Sequence, residues 1–256
     1  LKLSRGLGDV YKRQIQYGAL TDEKFNEKAK AFSLFKNTKD EYFTLEEYKE
    51  KVKAAQTDKN DKIILLYTHD KEEHHSLIKT ANDKGYDVLV LDGPLSSHYI
   101  SKMEQDLGVS FARVDADTLD KIIAKEEDIP SKLDKEQEES LTPLFEKVVD
   151  KEKFQIQIES LSEVEKPVLI TQSEFMRRMK EQQAVGGGGM HMMGAMPEMY
   201  NLVINTNHVL TSKIVDSKGK KQEKLAKQAV DLALLSHGLL KGEDLTDFVE
   251  RSFELI

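Results

Sequence analysis

Apolar residues in the first part of the chain recur at helical spacing. Phe25, Ala29, Phe32 and Phe35 share one face, which predicts an amphipathic helix over 22–35. A second helix opens at Thr44, with Glu47 three residues on as a capping box and Tyr48, Val52 and Ala55 on its inner side. The polar run at 57–62 predicts a boundary. From 62 to 115 the period changes. KIILLYTH (62–69), DVLVLDG (87–93) and VSFARV (109–114) are short apolar runs, as buried parallel strands are. Between them lie helical stretches from about Lys71 and from Ser97, stopped by Gly85 and Gly108. The order β-α-β-α-β predicts a small three-layer α/β domain with right-handed crossovers.

Beyond 116 the pattern reads as α+β. Leu141, Leu144, Phe145, Val148 and Val149 fall on one helical face, in a helix led by Ser131 or Asp134. FQIQIES (154–160) alternates as a strand with one wet face, and PVLITQ (167–172) is its expected hairpin partner. Ser173 is placed to cap the helix EFMRRMKEQQAV, which runs into Gly186–Gly189. YNLVIN (200–205) reads as a further strand, and Asn207 as the cap of a helix from His208. Helices over about 219–240 and 244–256 close the chain. In the first of these, residues 229–235 are apolar nearly all round, and such a helix must be covered on every side. The last helix offers a matching apolar face of Leu245, Phe248, Val249 and Phe253, and a helical bundle across a two-fold axis would cover the rest.

At 256 residues the chain has room for about two domains. Its apolar runs are only a few residues long, so none spans a bilayer. The absence of Cys removes disulfides, thiolate metal sites and cysteine nucleophiles, and fits a cytoplasmic protein. The net charge is -8, of which residues 117–166 carry -7 through 15 acids and 8 bases. That acidity argues against nucleic-acid backbone binding and reads as a solvated helical face. The opening stretch 1–14 begins with Leu1 and matches nothing that follows in pattern. It is expected to be non-native or disordered, with the native start missing, and is set aside from the fold.

Candidate chemistry is sparse. The glycine run 186–189 lacks a following Lys-Ser/Thr pair and the G-x-G-x-x-G spacing, so it reads as a flexible linker. In His69-Asp70-Lys71-Glu72-Glu73-His74-His75, His69 and His74 are five apart and fall on different helical faces. Neither H-E-x-x-H nor H-x-x-E-H is formed, so the expectation is a solvated helix start and no metal. Asp92-Gly93-Pro94 ends a strand without a basic partner and reads as a plain turn.

The methionines are unlike core residues. Seven of the 8 lie between 176 and 199, at Met176, Met179, Met190, Met192, Met193, Met196 and Met199. Unbranched, polarizable thioethers beside four glycines suit a segment that binds varied apolar surfaces. The alternative is Cu(I) ligation by Met190, His191, Met192 and Met193.

FSLFKNTKDEYFTLEEYKE, MRRMKEQQAVGGGGMHMMGAMPEMYNLVINTNH and KLAKQAVDLALLSHGLLKGEDLTDFVERSFELI together closely resemble the bacterial branch of the ninety-kilodalton heat-shock chaperone family. The resemblance covers nearly everything after residue 14. It implies the tail of a middle domain, with a helical part at 15–60 and a small α/β part at 61–116, followed by a C-terminal dimerisation domain at 117–256. It further implies a full-length ATP-dependent folding chaperone of the stress response, whose ATP and Mg sites lie upstream, so that no enzymatic activity or cofactor is expected here. The expected partners are a second copy of the chain, forming a homodimer, and unfolded client proteins, with no nucleic acid and no membrane. Phe175, Met176 and Met179 lie in the helix that matches the family's client-facing segment, continued by Met190, Met192, Met193, Met196 and Met199. Leu232, Leu235, Leu239, Leu245, Phe248, Val249 and Phe253 match its dimerisation bundle.

Overall fold

A computed structural model of the chain describes residues 5–93, 95–125, 129–185 and 199–253. It is a mixed α and β structure divided into two compact units. The first takes the chain up to Lys125 together with the helix that begins at Glu174; the second takes 126–173 and the chain from 195 onward.

The first unit opens with helices α1 (Arg5–Thr21) and α2 (Glu23–Ala29). Helix α1 thus begins inside the stretch expected to lie outside the fold, and Lys12 pairs with Asp92 at 2.8 Å. Helix α2 is capped by Asp22, whose carboxylate accepts from the Phe25 amide, and it ends far short of Phe35. Phe32 is exposed, while Phe35 is buried on strand β1 (Phe35–Lys36), which pairs antiparallel with β2 (Tyr42–Phe43). The helical spacing of those phenylalanines was therefore coincidental beyond Ala29. Helix α3 (Leu45–Val52) carries the expected capping box, Thr44 and Glu47 each bonding the other's backbone amide.

Three parallel strands follow: β3 (Ile64–Thr68), β4 (Val88–Val90) and β5 (Ser110–Arg113), in the order β4-β3-β5. Helices α4 (His75–Asp83) and α5 (Ser96–Leu107) connect them. Gly85 and Gly108, at φ of +79° and +64°, make the left-handed turns at the two helix ends that side chains with a Cβ disfavour. Both faces of β3 are buried, which is why its sequence is a continuous apolar run. Leu65 and Tyr67 join a core with Tyr48, Leu89, Ile100 and Phe111; Ile64 and Leu66 join another with Ala81, Val88 and Val114. Because Phe35, Tyr48 and Val52 belong to the first of these cores, the segment before residue 60 and the sheet share one interior. A one-turn helix, α6 (Leu119–Ile122), ends the unit's continuous run.

The second unit begins with α7 (Lys135–Phe145), capped by Asp134 with Gln137 completing the box. Strands β6 (Phe154–Glu159) and β7 (Val168–Thr171) do not form the expected hairpin. After helix α8 (Glu174–Val185), strand β8 (Tyr200–Asn205) lies between them, parallel to β6 and antiparallel to β7. Burial sets β8 apart from β6, while β7, the other edge strand, is also mostly buried. β8 is buried from Leu202 through Asn205, as a central strand is, whereas β6 is only half-buried along its length, as an edge strand is. Helix α9 (Val209–Asp216) is capped by His208, whose Nδ1 accepts from the Leu210 amide. Asn207, the expected cap, is buried instead: its amide donates to the carbonyls of Pro130 and Leu161, tying two loops together. Helices α10 (Gly219–Ser236) and α11 (Gly242–Phe253) complete the unit. Among the described residues, no helix is long and apolar enough to cross a membrane.

Candidate functional site

Helix α8 reverses the usual amphipathic rule. Its residues at i, i+3, i+4 and i+7 are Glu174, Arg177, Arg178 and Glu181, a charged stripe, and it is this stripe that packs onto the first unit. Arg177 is only 6 % exposed. Its guanidinium donates to Glu174 at 2.6 Å and to Glu181, and lies over the Tyr67 ring at 5.6 Å. Tyr67 donates its hydroxyl to Glu174 at 2.8 Å. Arg178 bridges Glu174 and Glu104, at 2.6 and 2.8 Å, and also donates to the Phe111 carbonyl at 2.7 Å. Ser97 donates to Glu181 at 2.6 Å. Charge-assisted and bidentate contacts of this kind are the stronger class of hydrogen bond, and Arg177 at their centre is buried.

With the charged stripe turned inward, apolar side chains are left outside. Phe175 is 71 % exposed, and Met176 and Met179 beside it are half-buried. Phe175 is thus a large aromatic open to solvent on a helix held in place by ion pairs. Of the other methionines expected to continue it, Met190, Met192, Met193 and Met196, with His191, lie outside the described residues. Met199 is exposed and lines a shallow groove of the second unit with Val149, Phe154 and Ile156.

The electrostatics of the stripe give it a pH dependence. Burial pushes the Glu181 carboxyl up, but the Ser97 hydroxyl and the Arg177 charge outweigh it and hold the group below the usual range. Asp115, near the same cluster, is likewise buried, yet its pairing with Arg113 brings it down. A carboxyl depressed in the folded state contributes stability that is present above its unfolded value of about 4 and is lost as pH falls through the folded value. The protection of α8 amides, relative to the intrinsic exchange rate at each pH, is therefore expected to hold from about pH 7 to pH 5 and to fall below about pH 4 before that of β3 does.

In the second unit, the seven residues read as a dimerisation bundle divide into two sets. Leu232 and Leu235 on α10, and Val249 and Phe253 on α11, are exposed, Phe253 to 74 %. Phe248 is buried, and Leu239 and Leu245 are half-buried. The inner side of α10 consists of small residues, Ala226, Ala229 and Ala233 with Val230, packed on the sheet. Asp231, which the sequence pattern placed within an apolar stretch, is 0 % exposed. Lys227 donates to it at 2.8 Å and Arg251 of α11 donates to its other oxygen, clamping the two helices together. Thus α10 is not apolar all round. One side is spent on the sheet, a buried charge joins it to α11, and two leucines are left open.

Two of the weaker candidates can also be placed. The Asp92–Gly93 turn holds no phosphate cradle: Asp92 is tied to Lys12, and a Cβ at Gly93 would already meet Gln16 Oε1 at 3.2 Å. The histidine run differs from its expectation, because 71–74 is a turn and the helix starts only at His75. His69 and His74 therefore do not diverge around a helix; their rings meet edge to face, with centroids 4.9 Å apart.

Comparison with known proteins identifies relatives of the chain. The chaperone protein HtpG of Bacteroides thetaiotaomicron is 35% identical over 311 aligned positions, taking in 94% of this chain and 46% of the relative. HtpG of Bacteroides fragilis is also 35% identical over 94% of the chain, and that of Porphyromonas gingivalis is 35% identical over 97% of it. The chain spans about half the length of these curated relatives, 46% in each case. The model of the Hsp90 protein family matches residues 7–256, and the chain belongs to that family.

Proposed function

We propose that this chain is the client-presenting and dimerising portion of an ATP-dependent, cytoplasmic protein-folding chaperone. The observation that carries this reading is helix α8, which turns its charged stripe inward and leaves Phe175 exposed, with Met176 and Met179 half-buried beside it. Unfolded polypeptides offer apolar side chains in no fixed arrangement. A surface of one aromatic and several adaptable thioethers binds such partners without demanding a sequence. The open residues Leu232, Leu235, Val249 and Phe253 supply the second element, a self-complementary apolar face for a two-fold dimer. Dimerisation places two α8 helices in one assembly, and two weak sites acting together bind a long client far more tightly than one.

ATP enters this account only as a ligand of the part of the relatives' length that this chain does not span. The Asp92–Gly93 turn does not fit a phosphate group, and no step is assigned to nucleotide here.

Two measurements test the proposal. Sedimentation velocity of the chain at micromolar concentration is expected to give a dimer, and Leu232→Glu/Leu235→Glu to give a monomer with unchanged circular dichroism. A monomer before substitution removes the dimer. A photo-crosslinking residue placed at Phe175 is expected to capture a permanently unfolded client, while one at Phe32, an exposed phenylalanine away from α8, is not. Equal capture at both positions would remove the role of α8.

A further inference from the structure

The turn between β3 and α4 carries a cluster of ligating groups that the proposed function leaves unused. We propose that His69, Glu73 and His74 form a binding site for a divalent transition-metal ion of the zinc type, with water completing its coordination. One ligand atom from each of the three residues falls within a 4.8 Å group. His69 Nε2 stands 3.2 Å from one Glu73 oxygen, and His74 Nε2 stands 3.8 Å from the other. Ligands about 2.0–2.1 Å from a tetrahedral metal are themselves about 3.3 Å apart, so the site needs only small side-chain adjustment to close on an ion.

The tautomer of His74 is also arranged for this role. The Thr68 hydroxyl donates to the Asp70 carbonyl at 2.7 Å, so toward His74 Nδ1, 2.8 Å away, its oxygen is an acceptor. With Nδ1 as the donor to that oxygen, Nε2 holds the lone pair that a metal ion needs. A ligating imidazole is commonly fixed in this way by a hydrogen bond from its other nitrogen. His74 is 3 % exposed, and its bare Nε2 faces carboxylate oxygens of Glu73 at 3.8 Å and Asp115 at 3.7 Å. The two carboxylates around Nε2 give this corner a negative potential that attracts a cation.

Asp115 is engaged by Arg113 through two hydrogen bonds, of 2.5 and 2.6 Å, so it contributes charge from outside the ligand set. Arg113 also approaches His69 Nδ1, at 3.4 Å. Its positive charge opposes that of a bound cation. Two imidazoles and one carboxylate favour zinc over magnesium or calcium, which take oxygen ligands, and over Cu(I), which takes thioethers. Glu73 is exposed and His69 half-buried, so the mouth is open to solvent and leaves room for the water ligand. A bound ion would staple the end of β3 to the turn that leads into α4.

Calorimetric titration of the untagged, chelator-treated chain with Zn²⁺ tests the site. One ion per chain is expected to bind, with a rise in Tm, and Co²⁺ in its place should give the intense visible absorption of a tetrahedral centre. His69→Gln and Glu73→Gln, both at accessible positions, should each weaken binding at least tenfold without altering the circular dichroism spectrum. His191→Gln, which disables the other run in the sequence able to hold a soft cation, should leave affinity unchanged. Absence of saturable binding overturns the proposal, as does undiminished affinity in both His69→Gln and Glu73→Gln, or loss of binding in His191→Gln alone.

Discussion

Arg251→Met is expected to destabilise the second unit by about 3–5 kcal/mol. The methionine preserves most of the packing volume, so the cost comes from charge. Asp231 is fully buried between α10 and α11, and without Arg251 its carboxylate keeps only Lys227 at 2.8 Å. A buried carboxylate deprived of half its compensation is far more costly than the pair was favourable. The double variant Arg251→Met/Asp231→Leu removes both charges and should recover most of the loss. Denaturant unfolding of the single and double variants checks this directly. A single variant within about 0.5 kcal/mol of the parent would mean that Asp231 reaches water, and the clamp between the two helices would then contribute nothing.

The second large effect is expected at Glu174→Ala. This carboxylate receives Tyr67, Arg177 and Arg178 and also accepts from the Arg113 amide at 3.2 Å. Its removal leaves two guanidinium groups side by side, one of them nearly inaccessible to solvent. We expect the docking of α8 to weaken by about 2–4 kcal/mol, which is on the order of a 30- to 1,000-fold acceleration of amide exchange in that helix. Amides of β3 should be little affected, since its core is built from Leu65, Leu66 and Leu89. Equal acceleration in α8 and β3 would show that the charged stripe supports the whole unit and not the seating of one helix. Glu174→Gln should lie between the parent and Glu174→Ala, because an amide still accepts one hydrogen bond.

What the sequence disclosed, and what it did not, follows physical lines. The β-α-β-α-β run was legible because strands covered on both faces read as unbroken apolar runs, and glycine marked both helix ends. The Thr44 capping box was legible because it is purely local. The hairpin of β6 and β7 failed because strand order depends on a partner more than thirty residues away. The signal was nevertheless present: YNLVIN carries consecutive buried residues, the mark of a central strand, whereas FQIQIE alternates as an edge does.

The apolar edge of α8 was found through its methionines, but the groups that orient it were missed. Glu174, Arg177, Arg178 and Glu181 stand at i, i+3, i+4 and i+7, with two arginines between two glutamates. That pattern names a helical face as surely as leucines would. The histidine cluster was set aside on a start of α4 placed four residues too early; the helix begins at His75, and His69 and His74 meet at the turn before it. Likewise Asp231 was read as one letter in an apolar stretch, when its burial depends on Arg251, twenty residues away.

The central claim is that the outward edge of α8 binds unfolded protein, and its most direct measurement is an affinity. A fluorescently labelled, permanently unfolded polypeptide is titrated with the parent chain and with Phe175→Ser/Met179→Ser. Both side chains lie away from the charged stripe, so folding and dimerisation should be unaffected. Burial of one large apolar side chain contributes about 1.5–3 kcal/mol, and each 1.4 kcal/mol is tenfold in affinity. The account predicts that the dissociation constant rises at least tenfold in the double variant. An unchanged constant in a folded, dimeric double variant would contradict it.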